Sequence, residues 1–196
     1  LQYGKQTIED DDIQAVVDVL REDKYLTTGP RVEQFENILC EQTGYKHGVV
    51  VCNGTAALHC ACVALRLRPG DEIIVPAISF VASANCALYC GATPVFCDVE
   101  ETTMNIDANK IEALITDNTV AILTVDFAGQ LCDYDKIRQI AYENGIRIIQ
   151  DASHSYGVVN KLCGDLVTFS FHPVKNITTG EGGAIMTNND FYSQVM

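Results

Sequence analysis

Ser170-Phe-His-Pro-Val-Lys-Asn-Ile-Thr-Thr-Gly-Glu-Gly-Gly183 is the stretch on which the reading of this chain turns. One apolar run, Leu166 to Phe171, leads into it, and another, Ala184 to Thr187, leaves it; both are predicted strands. Between them a single lysine, Lys175, stands five residues after Ser170 and just before a Gly-rich turn. The arrangement presents one amine beside a backbone that can approach an anion closely. Gly180-Glu-Gly-Gly183 is not a P-loop, because no Lys-Ser/Thr follows it. On position alone Lys175 reads as a surface lysine in a loop, and its neighbours along the chain change that.

Working outward, strands alternate with helices. Thr7 is expected to open a first helix with the stripe Ile13, Val16, Val17 and Leu20, and a second carries Val32, Phe35, Ile38 and Leu39 on one face. Gly48 to Cys52 reads as a buried strand, followed by a helix from Gly54 to about Leu67. Glu72 to Val75 is a strand stopped by Pro76, and Phe80 to Tyr89 a helix. Thr93 to Cys97 is a strand, and Asp107 caps a helix over Ile111, Leu114 and Ile115. Val120 to Val125 is a strand, Asp133 to Asn144 a helix stopped by Gly145, and Arg147 to Gln150 a strand ending at Asp151. The pattern predicts an α/β fold: a mostly parallel seven-stranded sheet with helices on both faces. Asn53, Ser79, Asp126, Asp151 and Lys175 gather just past the carboxyl ends of strands, where open α/β sheets bind ligands.

Composition narrows the partners. A net charge of −13 excludes the basic face that nucleic acid or an anionic membrane requires. Much of the acid lies in Glu9-Asp-Asp-Asp12 through Glu22-Asp23, read as a solvated helix face. Hydrophobic content of 47% suits a globular core, yet no apolar run is long enough to span a bilayer. No basic segment followed by an apolar one opens the chain, as a secretory leader would. Nine cysteines, several inside apolar segments and without a CxxC pair, read as free thiols of a reducing cytoplasm. The histidines lack metal-ligand spacing, so no metal is assigned.

Four residue groups along the carboxyl edge match the needs of pyridoxal 5'-phosphate (PLP). Lys175 supplies an amine for the aldehyde, with Val174 and Ile177 expected to desolvate it and favour its neutral, nucleophilic form. Asp151, at the end of a buried strand, suits a protonated pyridine nitrogen as well as a helix N-cap. Gly54, Thr55 and Ala56 start a helix, whose free N–H groups and dipole favour phosphate, and Ser170 adds a hydroxyl. Phe80 suits either stacking on the ring or ordinary core packing. His154 is placed to reach the ring's phenolic oxygen, and His172 is expected to be structural. A nicotinamide-binding fold fits the alternation of elements but lacks GxGxxG after the first strand.

Together these residues resemble the DegT/DnrJ/EryC1/StrS family of PLP-dependent sugar aminotransferases. The resemblance runs through Leu26-Thr-Thr-Gly-Pro30, Asn53-Gly-Thr-Ala-Ala57, Pro76 to Phe80, Val125-Asp-Phe-Ala-Gly129, Asp151-Ala-Ser-His154 and Ser170 to Gly183. The wording of the last segment resembles the pseudaminic-acid branch, which aminates C4 of a UDP-linked 4-keto-6-deoxy-N-acetylhexosamine with L-glutamate as donor. The resemblance implies a PLP-transferase fold type I large domain, with Lys175 as the Schiff-base and acid/base residue and Asp151 on the ring nitrogen. It implies that His154 lies near the ring hydroxyl, that Thr55, Ala56 and Ser170 hold phosphate, and that Phe80 stacks on the ring. It also implies a homodimer with active sites at the subunit interface. Two departures stand out. The segment between Tyr156 and Phe169 is several residues shorter than usual, and the chain is about half the family's length. The expected layout is an N-terminal helical segment, 1–45, and a PLP-binding large domain, 46–196, without the small C-terminal domain.

Overall fold

A computed structural model describes residues 5–22, 25–158 and 162–196. The first helix, α1 (Asp10–Glu22), begins three residues later than expected from Thr7. Its start is set by acid instead: the Glu9 N–H donates to Asp12 Oδ2 at 2.9 Å. The stripe of α1 is not buried, since Ile13, Val16 and Leu20 are 54%, 61% and 64% exposed. The Glu22 side chain and Asp23, the far end of the expected acidic face, lie outside the described residues. Helix α2 (Pro30–Thr43) starts with proline at its first position and ends at left-handed Gly44, whose N–H returns to the Cys40 carbonyl.

The elements that follow are β1 (His47–Val51), α3 (Gly54–Ala64), β2 (Glu72–Pro76), α4 (Ala82–Tyr89) and β3 (Thr93–Cys97). Next come α5 (Ala108–Ile111), β4 (Thr119–Val125), α6 (Tyr134–Asn144), β5 (Arg147–Asp151), β6 (Leu166–Ser170), β7 (Gly183–Thr187) and α7 (Asp190–Val195). The predicted strands all form, with shifts at their ends. The helix from Asp107 is shorter than expected and passes into a 3₁₀ turn, Glu112–Leu114. Helix α7, capped by Asn189, lies in a segment for which no helix was expected.

The strand order is β1-β7-β6-β5-β4-β2-β3. The run β6-β5-β4-β2-β3 is parallel, and β7 is antiparallel to both of its neighbours. Because β1 is an edge strand beside β7, it is half-buried throughout rather than buried as its apolar run suggested. Alternate residues of the central strands face opposite layers. Ile73, Val75, Leu123 and Ile149 pack under α3 and α4, while Ile74, Ile122 and Ile148 pack under α5 and α6. Leu39 of α2 joins Val167, Phe169, Phe171 and Met186 in a third cluster on the sheet.

All nine cysteines are free, with Cys62, Cys86, Cys97 and Cys132 buried and Cys52 exposed. Burial pushes the Cys97 thiol up to about 11 and Cys132 up to about 12, which keeps them protonated and poorly nucleophilic. Among the described residues no helix is long and apolar enough to cross a membrane, and no cluster of His, Cys, Asp and Glu is arranged to hold a metal ion.

Candidate active site

Strand register brings the site together. Val51 at the end of β1 and Ser170 at the end of β6 both face Gly183 of β7. A Cβ on Gly183 would lie 2.5 Å from the Asn53 backbone, and one on Gly54 would lie 2.8 Å from the Ser170 Cβ. These two glycines therefore let the start of α3 approach the end of β6. Asn53 caps α3 by accepting the Ala56 N–H at 2.8 Å. The N–H groups at the first turn of a helix have no partner within it, so Gly54 and Thr55 present theirs outward beside the Ser170 side chain.

On the strand next to β6, Asp151 ends β5 opposite Val125. Its side chain accepts the Ser153 N–H at 3.0 Å and so caps a turn; no helix begins there. Burial raises the Asp151 carboxyl above the usual carboxylate range, opposed by the Ser153 hydrogen bond and by His154 and Lys175 whenever these are protonated.

The loop after β6 carries Lys175. Its turn is closed by the Lys175 N–H to the His172 carbonyl at 2.9 Å and by the Thr178 hydroxyl to the Phe171 carbonyl at 2.9 Å. The Asn176 side-chain amide donates to the carbonyls of His154 and Tyr156, at 3.2 and 2.9 Å, which ties this loop to the turn after β5. As a result Lys175 Nζ stands 2.8 Å from His154 Nε2. Burial lowers the affinity of Lys175 for its proton, with Asp151 opposing. His154 is lowered by burial and then by the Lys175 charge. Val174 and Ile177, expected to desolvate the amine, are themselves 37% and 38% exposed. Val174 nevertheless lines the cleft beside the amine, and Ile177 does not.

That cleft has a volume of about 440 Å³. It is lined by Gly54, Thr55, Phe80, Asp151, His154, Ser170 and Lys175, seven of the eight residues singled out in the sequence. Ala56 is the exception: it is not in the lining, and its N–H is already committed to Asn53. Phe80 is 71% exposed, so it stands at the rim and is not a core residue. His172 and Glu181 also line the cleft, with His172 Nε2 4.0 Å from Glu181 Oε1. Sequence reasoning passed over Asn176 and Glu181; their only signal was adjacency to the lysine and the glycine turn. The short segment before β6 falls partly on residues 159–161, outside the described residues, and Ser170 nonetheless ends β6 in the cleft.

The donor set fits PLP. An amine with a weakened hold on its proton suits an aldehyde, a buried carboxylate suits a protonated ring nitrogen, and a helix start with two hydroxyls suits a phosphate. Gly54 and Gly183 make that last part possible by letting the α3 start and Ser170 come together, since a Cβ at either position would meet protein atoms at 2.8 or 2.5 Å.

Comparison with known proteins agrees with this geometry. Residues 6–196 match the model of the DegT/DnrJ/EryC1/StrS aminotransferase family. The chain is 46% identical over 169 residues to GDP-perosamine synthase of Caulobacter vibrioides, covering 84% of this chain and 46% of that protein. It is 40% identical over 195 residues to spore coat polysaccharide biosynthesis protein SpsC of Bacillus subtilis, covering 97% and 50%. Among solved structures, Helicobacter pylori PseC, an aminotransferase of pseudaminic acid biosynthesis, superposes with a TM-score of 0.92 at 36% identity, over 99% of this chain and 54% of that one. The PLP form of the sugar aminotransferase Spr1654 from Streptococcus pneumoniae superposes with a TM-score of 0.92 at 33% identity, over 97% and 54%. The chain thus spans about half the length of its relatives, and its seven-stranded mixed sheet matches the PLP-transferase fold type I of these aminotransferases. By sequence along nearly its whole length and by the fold, this chain belongs to the DegT/DnrJ/EryC1/StrS aminotransferase family.

Proposed function

We propose that this chain is the PLP-binding large domain of a sugar aminotransferase, with residues 46–196 as the cofactor-binding unit and 1–45 as an N-terminal helical segment. One observation carries the reading: an amine, Lys175 Nζ, 2.8 Å from an imidazole nitrogen in a cleft that also holds the buried carboxylate of Asp151. Bound PLP supplies a ring that stabilises negative charge on the carbon next to the reacting nitrogen. Lys175 would hold the group through Nζ and, when free, could move a proton at that same nitrogen. Asp151 would favour a protonated ring nitrogen. Gly54 and Thr55 N–H groups with the Thr55 and Ser170 hydroxyls would hold the phosphate, Phe80 would pack on the ring, and His154 would serve the phenolic oxygen. The family model and the PLP form of a structural relative support the assignment.

The finer reading is amino transfer from L-glutamate to C4 of a UDP-linked 4-keto-6-deoxy-N-acetylhexosamine, in pseudaminic acid biosynthesis, by a cytoplasmic homodimer. It is supported by the wording of the Ser170–Gly183 segment and the likeness to PseC. A second reading, a GDP-linked sugar, is favoured by the 46% identity to GDP-perosamine synthase, against 36% to PseC.

Mixing the chain with PLP should produce visible absorbance, and borohydride followed by peptide mapping should place the label on Lys175. A label elsewhere, or no band, refutes the assignment. Addition of L-glutamate should convert the band to that of the amine form. Assay of UDP-linked against GDP-linked keto-sugars as acceptors then separates the two finer readings.

A further inference from the structure

The segment Asp126 to Gly129, after β4, plays no part in the function proposed above, yet it is heavily engaged. Asp126 is fully buried and, when ionised, can only accept hydrogen bonds. It receives three: the Tyr134 hydroxyl on Oδ1, and the Gln150 amide and Ser155 hydroxyl on Oδ2, each at 2.8 Å. Gln150 is itself fixed, because its Oε1 accepts the N–H groups of Cys163 and Gly164 at 2.7 and 3.0 Å. Its amide nitrogen must therefore face Asp126. Burial raises the Asp126 carboxyl, the three donors oppose that, and the charge of Asp151 adds to it.

Two residues on, the backbone turns over through Ala128 at φ 53° and Gly129 at φ 83°. The turn points the Ala128 N–H at His154 Nδ1, 3.3 Å away. A Cβ on Gly129 would lie 3.0 Å from the His154 carbonyl oxygen and would be strained at this positive φ, so glycine favours the approach. The turn after β5 is thus held at two successive residues: His154 by the Ala128 amide and Ser155 by the Asp126 carboxylate.

A neutral imidazole has one donor nitrogen and one acceptor nitrogen. Since Nδ1 accepts from Ala128, the proton sits on Nε2, the atom 2.8 Å from Lys175 Nζ. A donor there needs a lone pair opposite, and only the uncharged amine has one. We infer that Asp126 is a positioning residue: acting through Ser155 and together with the Ala128 amide, it fixes His154 as the Nε2–H tautomer and so holds the Lys175 amine uncharged and aimed into the cleft. The other charged groups facing the pair are Asp151, which favours the ammonium form, and His172 and Glu181 in the cleft wall. The proposed PLP chemistry gives the uncharged amine its purpose, but the tautomer is set by the chain alone.

The test uses the chain with ¹⁵N-labelled histidine. Long-range ¹H–¹⁵N spectra should show His154 protonated at Nε2. Asp126→Asn places an N–H₂ group against incoming donors, so both tautomers should appear. Acetic anhydride labelling of Lys175 at neutral pH, read by mass spectrometry, should slow about tenfold, as a one-unit rise in amine pKa gives. Tyr134→Phe removes one donor and keeps the ring, and should move both readouts less in the same direction; it decides the matter if Asp126→Asn does not fold. An Nδ1–H tautomer in the parent chain overturns the inference, as do folded variants with unchanged tautomer and labelling. If the tautomer responds as stated but PLP forms no adduct at Lys175, the proposed function fails and this inference stands.

Discussion

Lys175 Nζ and His154 Nε2 lie 2.8 Å apart although they belong to loops after different strands, and Asn176 links those loops through two backbone carbonyls. The contact makes the amine part of a hydrogen-bonded unit built from the chain's own residues.

This environment predicts a pH signature. Burial lowers the Lys175 pKa, so its uncharged form appears at lower pH than that of an exposed lysine. Between the folded and the unfolded value the unfolded chain binds the extra proton, so this residue makes stability rise with pH across that window. Labelling of each lysine against pH should give Lys175 the lowest midpoint among the lysines of the described residues. Lys175→Met should abolish PLP attachment and flatten the alkaline part of the stability profile measured by urea unfolding.

Asp151 carries the opposite sign. Its carboxyl is raised by burial, so stability from this group is fully present below the ordinary carboxylate value and is lost as pH rises through the raised one. Above the ordinary carboxylate range and without PLP, burial of this carboxyl is a cost. Asp151→Asn should therefore raise the melting temperature at neutral pH by about 2–4 °C, the shift that about 1 kcal/mol produces in a chain of this size. The same change should weaken PLP binding, and an equal or lower melting temperature would refute the argument.

Gly183 bears on both stability and ligand. A methyl group there would sit 2.5 Å from the Asn53 backbone, with no flexible side chain to yield. Gly183→Ala should cost about 2 kcal/mol or more, as overpacked sites do, and should reduce affinity for PLP by separating the α3 start from Ser170. Urea midpoints and a PLP titration measure the two effects.

The exposed stripe of α1 makes a contrasting case. Val16 and Leu20 are 61% and 64% exposed, so replacing both with serine should change the stability of this chain by no more than about 0.5 kcal/mol per site, beyond helix propensity. Loss of several kcal/mol would mean that the stripe is covered in solution.

Much of this was legible in the sequence, for reasons that differ by residue. Asp133 and Gly145 bracket α6 as cap and left-handed stop because both signals act locally. The alternation of Ile73, Ile74 and Val75 across the sheet follows from strand period. Local pattern could not give the burial of β1, which depends on its place at the sheet edge, nor that of the α1 stripe, which depends on what packs against it. In the site, the meeting of Thr55, Ser170 and Lys175 in one cleft was readable because all three stand at or just past strand ends. Ala56 lies outside the cleft lining and its N–H is engaged by the Asn53 cap, a competition that spacing does not show. Asp126 was visible as a polar residue at a strand end, but its three donors come from residues scattered between Tyr134 and Ser155.

The place of β7 has a consequence for how the molecule assembles. His47 of β1 pairs with Thr187, so among the described residues the first strand joins the sheet through β7, the last. On a growing chain β1 must wait, unpaired, until β7 has been made. Such long-range pairing is slow to form. The corner where Asn53 meets Gly183 is then among the last pieces to close, and phosphate or PLP added during refolding should speed the final phase and leave the earlier ones unchanged.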